Sequence, residues 1–125
     1  MLAIGFDAEG APAAAESSRV ADVMLAVPDL AGKGCRPLRG GVRQPAVLFF
    51  VTHDCPISNG YAPEYQRLWR EYSAKGLPMY LVYVDPDAKP GALTKHREDF
   101  KLTQYPAIHD REHRLVAATG ATMTP

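Results

Sequence analysis

The segment Ala46-Val47-Leu48-Phe49-Phe50-Val51 is apolar without interruption and rich in residues that favour strands. Continuous rather than alternating hydrophobicity implies a strand covered on both faces, the situation of a parallel α/β sheet. The next residues supply the cover. Between Pro63 and Gly76, Tyr65, Leu68, Trp69 and Tyr72 recur at helical spacing, with Tyr61 one turn earlier. Glu64, Gln66, Arg67, Arg70 and Glu71 fall between them and face water, and Gly76 is placed to end the helix in a left-handed conformation. Met79-Tyr80-Leu81-Val82-Tyr83-Val84 is a second buried strand, stopped by Asp85-Pro86. Strand, helix, strand with short links predicts a βαβ unit with parallel strands and a right-handed crossover.

The flanks are weaker. Residues 1–18 are small and polar and read as a flexible leader, with a strand near Leu2 to Phe6 as the lesser alternative. Val20 to Val27 and Cys35 to Leu38, separated by Pro28-Asp29-Leu30-Ala31-Gly32-Lys33-Gly34, predict a modest β-hairpin. After the βαβ unit, a helix is expected from about Pro90 to Lys101, with Leu93, His96, Arg97 and Phe100 inward and His96 and Arg97 at its margins. Tyr105 to Ile108 reads as extended, and Arg111 to Thr119 as a short helix closed by Gly120. One domain over residues 19–125 follows.

Composition narrows the function. Fourteen basic residues cancel fourteen acidic ones, and no basic stripe is present to attract a nucleic-acid backbone. The longest apolar run is far too short to span a bilayer. No intact signal peptide reads at the N-terminus, where Asp7 and Glu9 interrupt the apolar stretch and no Lys or Arg precedes Arg19. Two cysteines are too few for a disulfide scaffold, so the compartment stays open.

The residues with chemistry sit where the first buried strand ends: Thr52-His53-Asp54-Cys55-Pro56-Ile57-Ser58-Asn59. In parallel sheets, loops converge at the carboxyl ends of strands and helix N-termini point their amides outward. A cysteine at such a junction meets unpaired N–H groups that favour thiolate over thiol. Pro56, with no N–H of its own, suits the first helical position. The competing reading is a small buried hydrophobe, the commoner fate of a lone cysteine. The junction and its polar neighbours favour the reactive one. Ser58 either hydrogen-bonds the sulfur or caps the helix. The His53 imidazole could promote the thiolate if it faced Cys55, although neighbours in an extended segment point apart. Asp54 is expected to face solvent or cap the helix. Cys35, twenty residues earlier, is either a resolving thiol or an incidental turn cysteine. His53 with Cys55, and His109 with His113, raise the question of a metal, but four compact ligands are not in view and no metal or other cofactor is expected. Tyr61, Tyr65, Trp69 and Tyr72 are most simply core.

Val-Leu-Phe-Phe-Val-Thr-His-Asp-Cys-Pro-Ile-Ser-Asn, followed by Tyr-Ala-Pro, resembles the redoxin branch of the thioredoxin-like superfamily. That branch includes the alkyl hydroperoxide reductase/thiol-specific antioxidant (AhpC/TSA) proteins and the bacterial thiol-disulfide oxidoreductases. Pro63, eight residues after Cys55, matches the proline that kinks the active-site helix in thioredoxins. Thr124-Pro125 resembles the step whose cis-proline packs against the reactive cysteine. The resemblance runs from about Val20 to the last residue. It implies a thioredoxin-like βαβ sandwich, an antioxidant or disulfide-exchange role, and a bacterial cytoplasmic or periplasmic setting.

Three departures shape what the resemblance implies. The chain has Cys55-x-x-Ser58 where thioredoxins have two cysteines, so no disulfide closes within the motif. Thr52-x-x-Cys55 matches the Thr-x-x-Cys of peroxiredoxins, whose threonine orients a peroxide oxygen, but Leu48, seven residues before Cys55, stands where those enzymes place a proline, so the match is partial. The chain also stops at Pro125, before the strands and helix that complete the family's sheet, which would leave one edge of the first buried strand bare. A piece of a longer protein is expected, with a partner chain, as in a homodimer, as the other way to supply those strands. The expected activity is thiol-dependent oxidoreduction by Cys55, peroxiredoxin-like, with Thr52, Ser58 and Pro125 around the sulfur. Its substrate would be a peroxide or a mixed disulfide, and an external thiol or Cys35 would restore the enzyme. The alternative is a non-catalytic module that binds a partner protein through the loops at Cys55 and Pro125.

Overall fold

Side-chain alternation along the apolar strands divides the interior into two cores. The computed structural model describes residues 2–4, 24–40 and 43–122. Within them a sheet of four strands forms in the order β1 (Leu2–Ile4), β4 (Val47–Val51), β5 (Met79–Tyr83), β6 (Ala107–His109). Strands β4, β5 and β6 run parallel, with Val47 opposite Met79, Val51 opposite Tyr83 and Tyr83 opposite His109. β1 is antiparallel to β4, with Leu2 opposite Phe49 and Ile4 opposite Val47. A two-stranded ribbon, β2 (Val27–Pro28) with β3 (Gly34–Cys35), lies apart from the sheet and touches β6 through an isolated bridge from Asp29 to Ile108.

The helices are α1 (Pro56–Gly60), α2 (Ala62–Tyr72), α3 (Pro90–Asp99) and α4 (Arg114–Thr119), with a single 3₁₀ turn at Ser73–Lys75. Val47, Phe49, Val51, Leu81 and Tyr83 project to the face that carries Tyr65 of α2 and Leu93 of α3. Leu48, Phe50, Val82 and Ile108 project to the other, where Val27 and Leu115 of α4 close the second core. Both faces of β4 and β5 are therefore dry, with Leu48, Phe50, Leu81 and Val82 each fully buried. Each such side chain contributes about 1.5–3 kcal/mol by leaving water. The continuous apolar runs thus mean what the sequence implied: three layers, helix pair, sheet, helix with ribbon.

Several boundaries differ from the sequence expectation. The helix expected to open at Pro56 does so as α1, and it breaks at Tyr61 before α2, because Pro63 has no N–H to give to the carbonyl of Asn59. Gly76 ends the 3₁₀ turn at φ 78°, as its position predicted. The ribbon is shorter than expected: Pro28 pairs rather than turning, and residues after Cys35 leave the strand. Val20 to Val23 of the expected first strand, and most of the expected leader, lie outside the described residues. α4 begins at Arg114 rather than Arg111 because the buried Asp110 carboxylate accepts the amides of Arg114, Leu115 and Val116 at 2.8, 3.0 and 3.2 Å. The edge of β4 that was expected to be bare is covered by β1.

Candidate functional site

The site is built where β4 and β5 end. Val51 is the last paired residue of β4, and the chain passes through half-buried Thr52 and His53 and exposed Asp54 to Cys55. Cys55 is the N-cap of α1, extended at φ −88° and ψ 115°, with Pro56 at the first helical position. The proline needs no hydrogen-bond partner for its nitrogen, and the first turn closes on the cysteine itself: Asn59 N donates to Cys55 O at 2.9 Å. Cys55 is half-buried. Ile57 and Tyr61 beside it are 69% and 48% exposed, the apolar rim of the site.

The loop before the thiol is held by Asp85, just beyond β5. One carboxylate oxygen accepts from His53 Nδ1 at 2.9 Å, and the carboxylate also takes the His53 amide at 3.2–3.3 Å. Because the carboxylate accepts only, His53 carries a proton on Nδ1. The ring thus turns to Asp85. The peptide carbonyl of His53 is fixed too, by Asn59 Nδ2 at 3.2 Å. Asn59 Oδ1 in turn meets His96 Nε2 at 2.7 Å, and His96 Nδ1 meets the Tyr83 hydroxyl at 2.7 Å. His96 and Tyr83 are buried, and burial pushes the Tyr83 phenol well above its usual range.

The remaining histidines support the same strand end from behind. His109 Nε2 donates to Asp85 O and His113 Nε2 to Val84 O, both at 2.8 Å, while Arg111 Nε donates to Pro86 O. His113 adopts φ 54° to do so. The His109 and His113 spacing that raised the question of a metal is therefore spent on two separate carbonyls. Among the described residues one group has ligand atoms close enough for a cation, His53, Asp54 and Asp85 within 4.8 Å of one another. Its Asp85 oxygens accept from the His53 ring and amide, and Asp54 is exposed.

The other sequence candidates are distributed as follows. Ser58 is buried and does not cap α1, whose N-cap is Cys55. It lies against Tyr65, whose hydroxyl has no well-formed hydrogen bond among the described residues, and burial pushes that phenol up to about 12. Cys35 sits on the ribbon, packed on the second core near Asp29, Arg39 and Tyr80. Tyr80 pairs with Leu48, near the start of β4, whereas Cys55 follows its end. The structure does not bring the two thiols together. Burial, then the Asp29 carboxylate, raises the Cys35 thiol, with Arg39 opposing. Pro125 lies outside the described residues. Asn59, Tyr83, Asp85 and His96 were not singled out by sequence as site residues.

This geometry, a half-buried cysteine opening a proline-broken helix at the end of a central parallel strand, can be set against known proteins. The family model for the AhpC/TSA family matches residues 27–125. The chain belongs to the AhpC/TSA family. No curated protein matches it in sequence. Solved structures similar to this family member include DsbF of MTB in its mixed oxidized and reduced forms, with TM-score 0.66 and 20% identity, covering 84% of this chain and 75% of that one. Another is a secreted Mycobacterium tuberculosis disulfide oxidoreductase homologous to E. coli DsbE, with TM-score 0.60 and 23% identity over 78% of this chain and 69% of that one. A third is the thioredoxin domain of a thiol-disulfide oxidoreductase from Bacteroides vulgatus, with TM-score 0.63 and 15% identity over 81% and 71%. The fold is thioredoxin-like. No helix among the described residues is long and apolar enough to cross a membrane.

Proposed function

We propose that this AhpC/TSA family member is a thiol-dependent oxidoreductase in which Cys55 works as a single reactive thiol. The observation that carries the reading is the seat of Cys55: it opens α1 at the end of β4, half-buried, with Ser58 where a second thiol would be needed for internal exchange. The naming of the solved relatives as disulfide oxidoreductases supports thiol chemistry.

With a peroxide, the Cys55 thiolate attacks one oxygen, the O–O bond breaks, and the second oxygen leaves as an alcohol or water after taking a proton. Cys55 becomes a sulfenic acid. One equivalent of external thiol condenses with it, releasing water, and a second displaces Cys55 as thiolate and departs as a disulfide. With a disulfide as substrate the Cys55 thiolate attacks one sulfur, the S–S bond breaks and the other half leaves as a thiolate; an external thiol then displaces Cys55 in the same last exchange. Thr52 at the end of β4 is the candidate to orient the peroxide, and Pro125 the candidate to border the sulfur. Cys35, remote and held as a thiol, is a poor resolving partner.

The test is stopped-flow mixing of the reduced protein with hydrogen peroxide and, separately, with a small disulfide, Cys55→Ser serving as control. Second-order reaction of the parent, absent in C55S, is expected. The ratio of the two rates chooses between peroxide and disulfide. Parent and C55S reacting alike with both would overturn the enzymatic reading. It would favour instead a module that binds a partner protein at this loop, a reading for which the exposed Ile57 and Tyr61 speak.

A further inference from the structure

We propose that Asn59 and His96 are positioning residues for Cys55, forming with Tyr83 a directed chain of hydrogen bonds that fixes the main chain on both sides of the thiol. The inference rests on Cys55 being the working residue.

With the His96 ring neutral, every link has one chemically consistent direction. The His53 carbonyl can only accept, so Asn59 must present Nδ2 to it and Oδ1 to His96. Oδ1 can only accept, so His96 carries its proton on Nε2. Nδ1 of the neutral ring then accepts from the Tyr83 hydroxyl. Asn59 is the pivot, because its own amide also donates to the carbonyl of Cys55. One residue thus holds the carbonyl two residues before the thiol with its side chain and the thiol residue's carbonyl with its backbone. His96 fixes the side chain, and Tyr83, rooted in β5, fixes His96.

The relay requires a neutral imidazole. A cation would have a proton on Nδ1, and the Tyr83 hydroxyl would have to turn its own hydrogen into a dry core. Around His96 stand Asn59 from α1, Tyr83 from β5 and, at 4.7 Å, the Phe100 ring following α3. Burial, followed by His53, lowers His96 from its usual 6.5, while Asp85 and Asp99 work the other way. Acidification below that range removes the acceptor and slackens the loop.

The test uses the full chain with four proteins: parent, His96→Phe, His96→Gln and Asn59→Ala. Phenylalanine keeps the ring packing and removes both hydrogen bonds. Glutamine keeps a donor for Asn59 and cannot ionise in this range. Asn59→Ala, at a half-buried position, cuts the same link should H96F fail to fold. Two quantities are read: amide exchange over residues 53–59, and the rate of Cys55 sulfenic acid formation with hydrogen peroxide, trapped and located by peptide mass, between pH 5 and 8. Exchange should accelerate about tenfold in H96F or N59A and return toward the parent in H96Q. The oxidation rate should fall roughly tenfold or more in H96F, as expected when a reacting group loses its placement. The ratio of parent to H96Q rates, in which the thiol's own titration cancels, should be flat above pH 6.5 and fall below it. Parent-like exchange and a flat ratio throughout would overturn the relay. A parent protein whose Cys55 reacts no faster than free cysteine would sink the proposed function instead, and the exchange measurement would still decide the relay.

Discussion

Replacing Asp85 by alanine tests whether the loop before Cys55 is clamped or merely adjacent. Two hydrogen bonds disappear together, one from His53 Nδ1 at 2.9 Å and one from its amide at 3.2–3.3 Å. The carboxylate is 11% exposed and the imidazole 28%, so the pair lies between core and surface. Hydrogen bonds to a charged group contribute about 1.5–3 kcal/mol when buried, and the ring bond, which water can replace, belongs at the low end. The amide has no such substitute close by. We expect a loss of about 2–3 kcal/mol at pH 7. Urea unfolding followed by Trp69 fluorescence is the assay. With a slope of roughly 1.5 kcal/mol per molar urea, the midpoint should drop by about 1.3–2 M. Asp85→Asn, which retains an acceptor oxygen, should lose about half as much. A D85A loss under about 0.5 kcal/mol would refute the argument, since it would mean that solvent already shares both contacts.

Two further outcomes are expected. Asp110→Ala strips the acceptor from the amides of Arg114, Leu115 and Val116. Loss of a buried charged cap of this kind should cost about 3 kcal/mol in urea unfolding, with helix signal from α4 lost first, and Asp110→Asn should recover part of it. Cys35 should resist iodoacetamide at neutral pH and react only as pH rises past the usual thiol value of 9.0, read by peptide mass. Its folded pKa is raised, so the folded state keeps a proton that the unfolded state releases. The Cys35 contribution to stability is therefore whole below the unfolded thiol pKa and shrinks as pH climbs above it.

The two parallel strands and the seat of Cys55 were legible because the signals are local. Unbroken apolar runs specify burial on both faces, and Cys55-Pro56 marks a helix start within two residues. Helix α2 was readable from Tyr65, Leu68 and Trp69, whereas of α1 only the start at Pro56 was: five residues with exposed Ile57 carry no periodicity of their own. The polar relay was not legible for a different reason. Asn59 meets His96 across 37 positions and His53 meets Asp85 across 32, separations that no spacing rule encodes. His96 looked marginal on its helix because hydrophobicity scores a histidine as half-polar, yet it is buried and bonded at both nitrogens. The start of α4 moved because Asp110 satisfies the helix amides from outside, making Asp110 and left-handed His113 the boundary. Ser58, read as a possible cap for α1, is instead buried against Tyr65, while Cys55 takes the cap position.

The segment that leaves β5 is gripped on opposite sides in unlike ways. His109, Arg111 and His113 reach main-chain oxygens of Asp85, Pro86 and Val84, whereas the Asp85 side chain alone serves the Cys55 loop. A carbonyl is the same on every residue. Positions 84 and 86 can therefore drift in related sequences without loosening this grip, while 85 should vary with 53, whose ring its side chain holds, or not at all. The evolutionary trace of the site is expected to extend to His109 and His113, well away in sequence from the cysteine loop whose neighbouring strand end they hold.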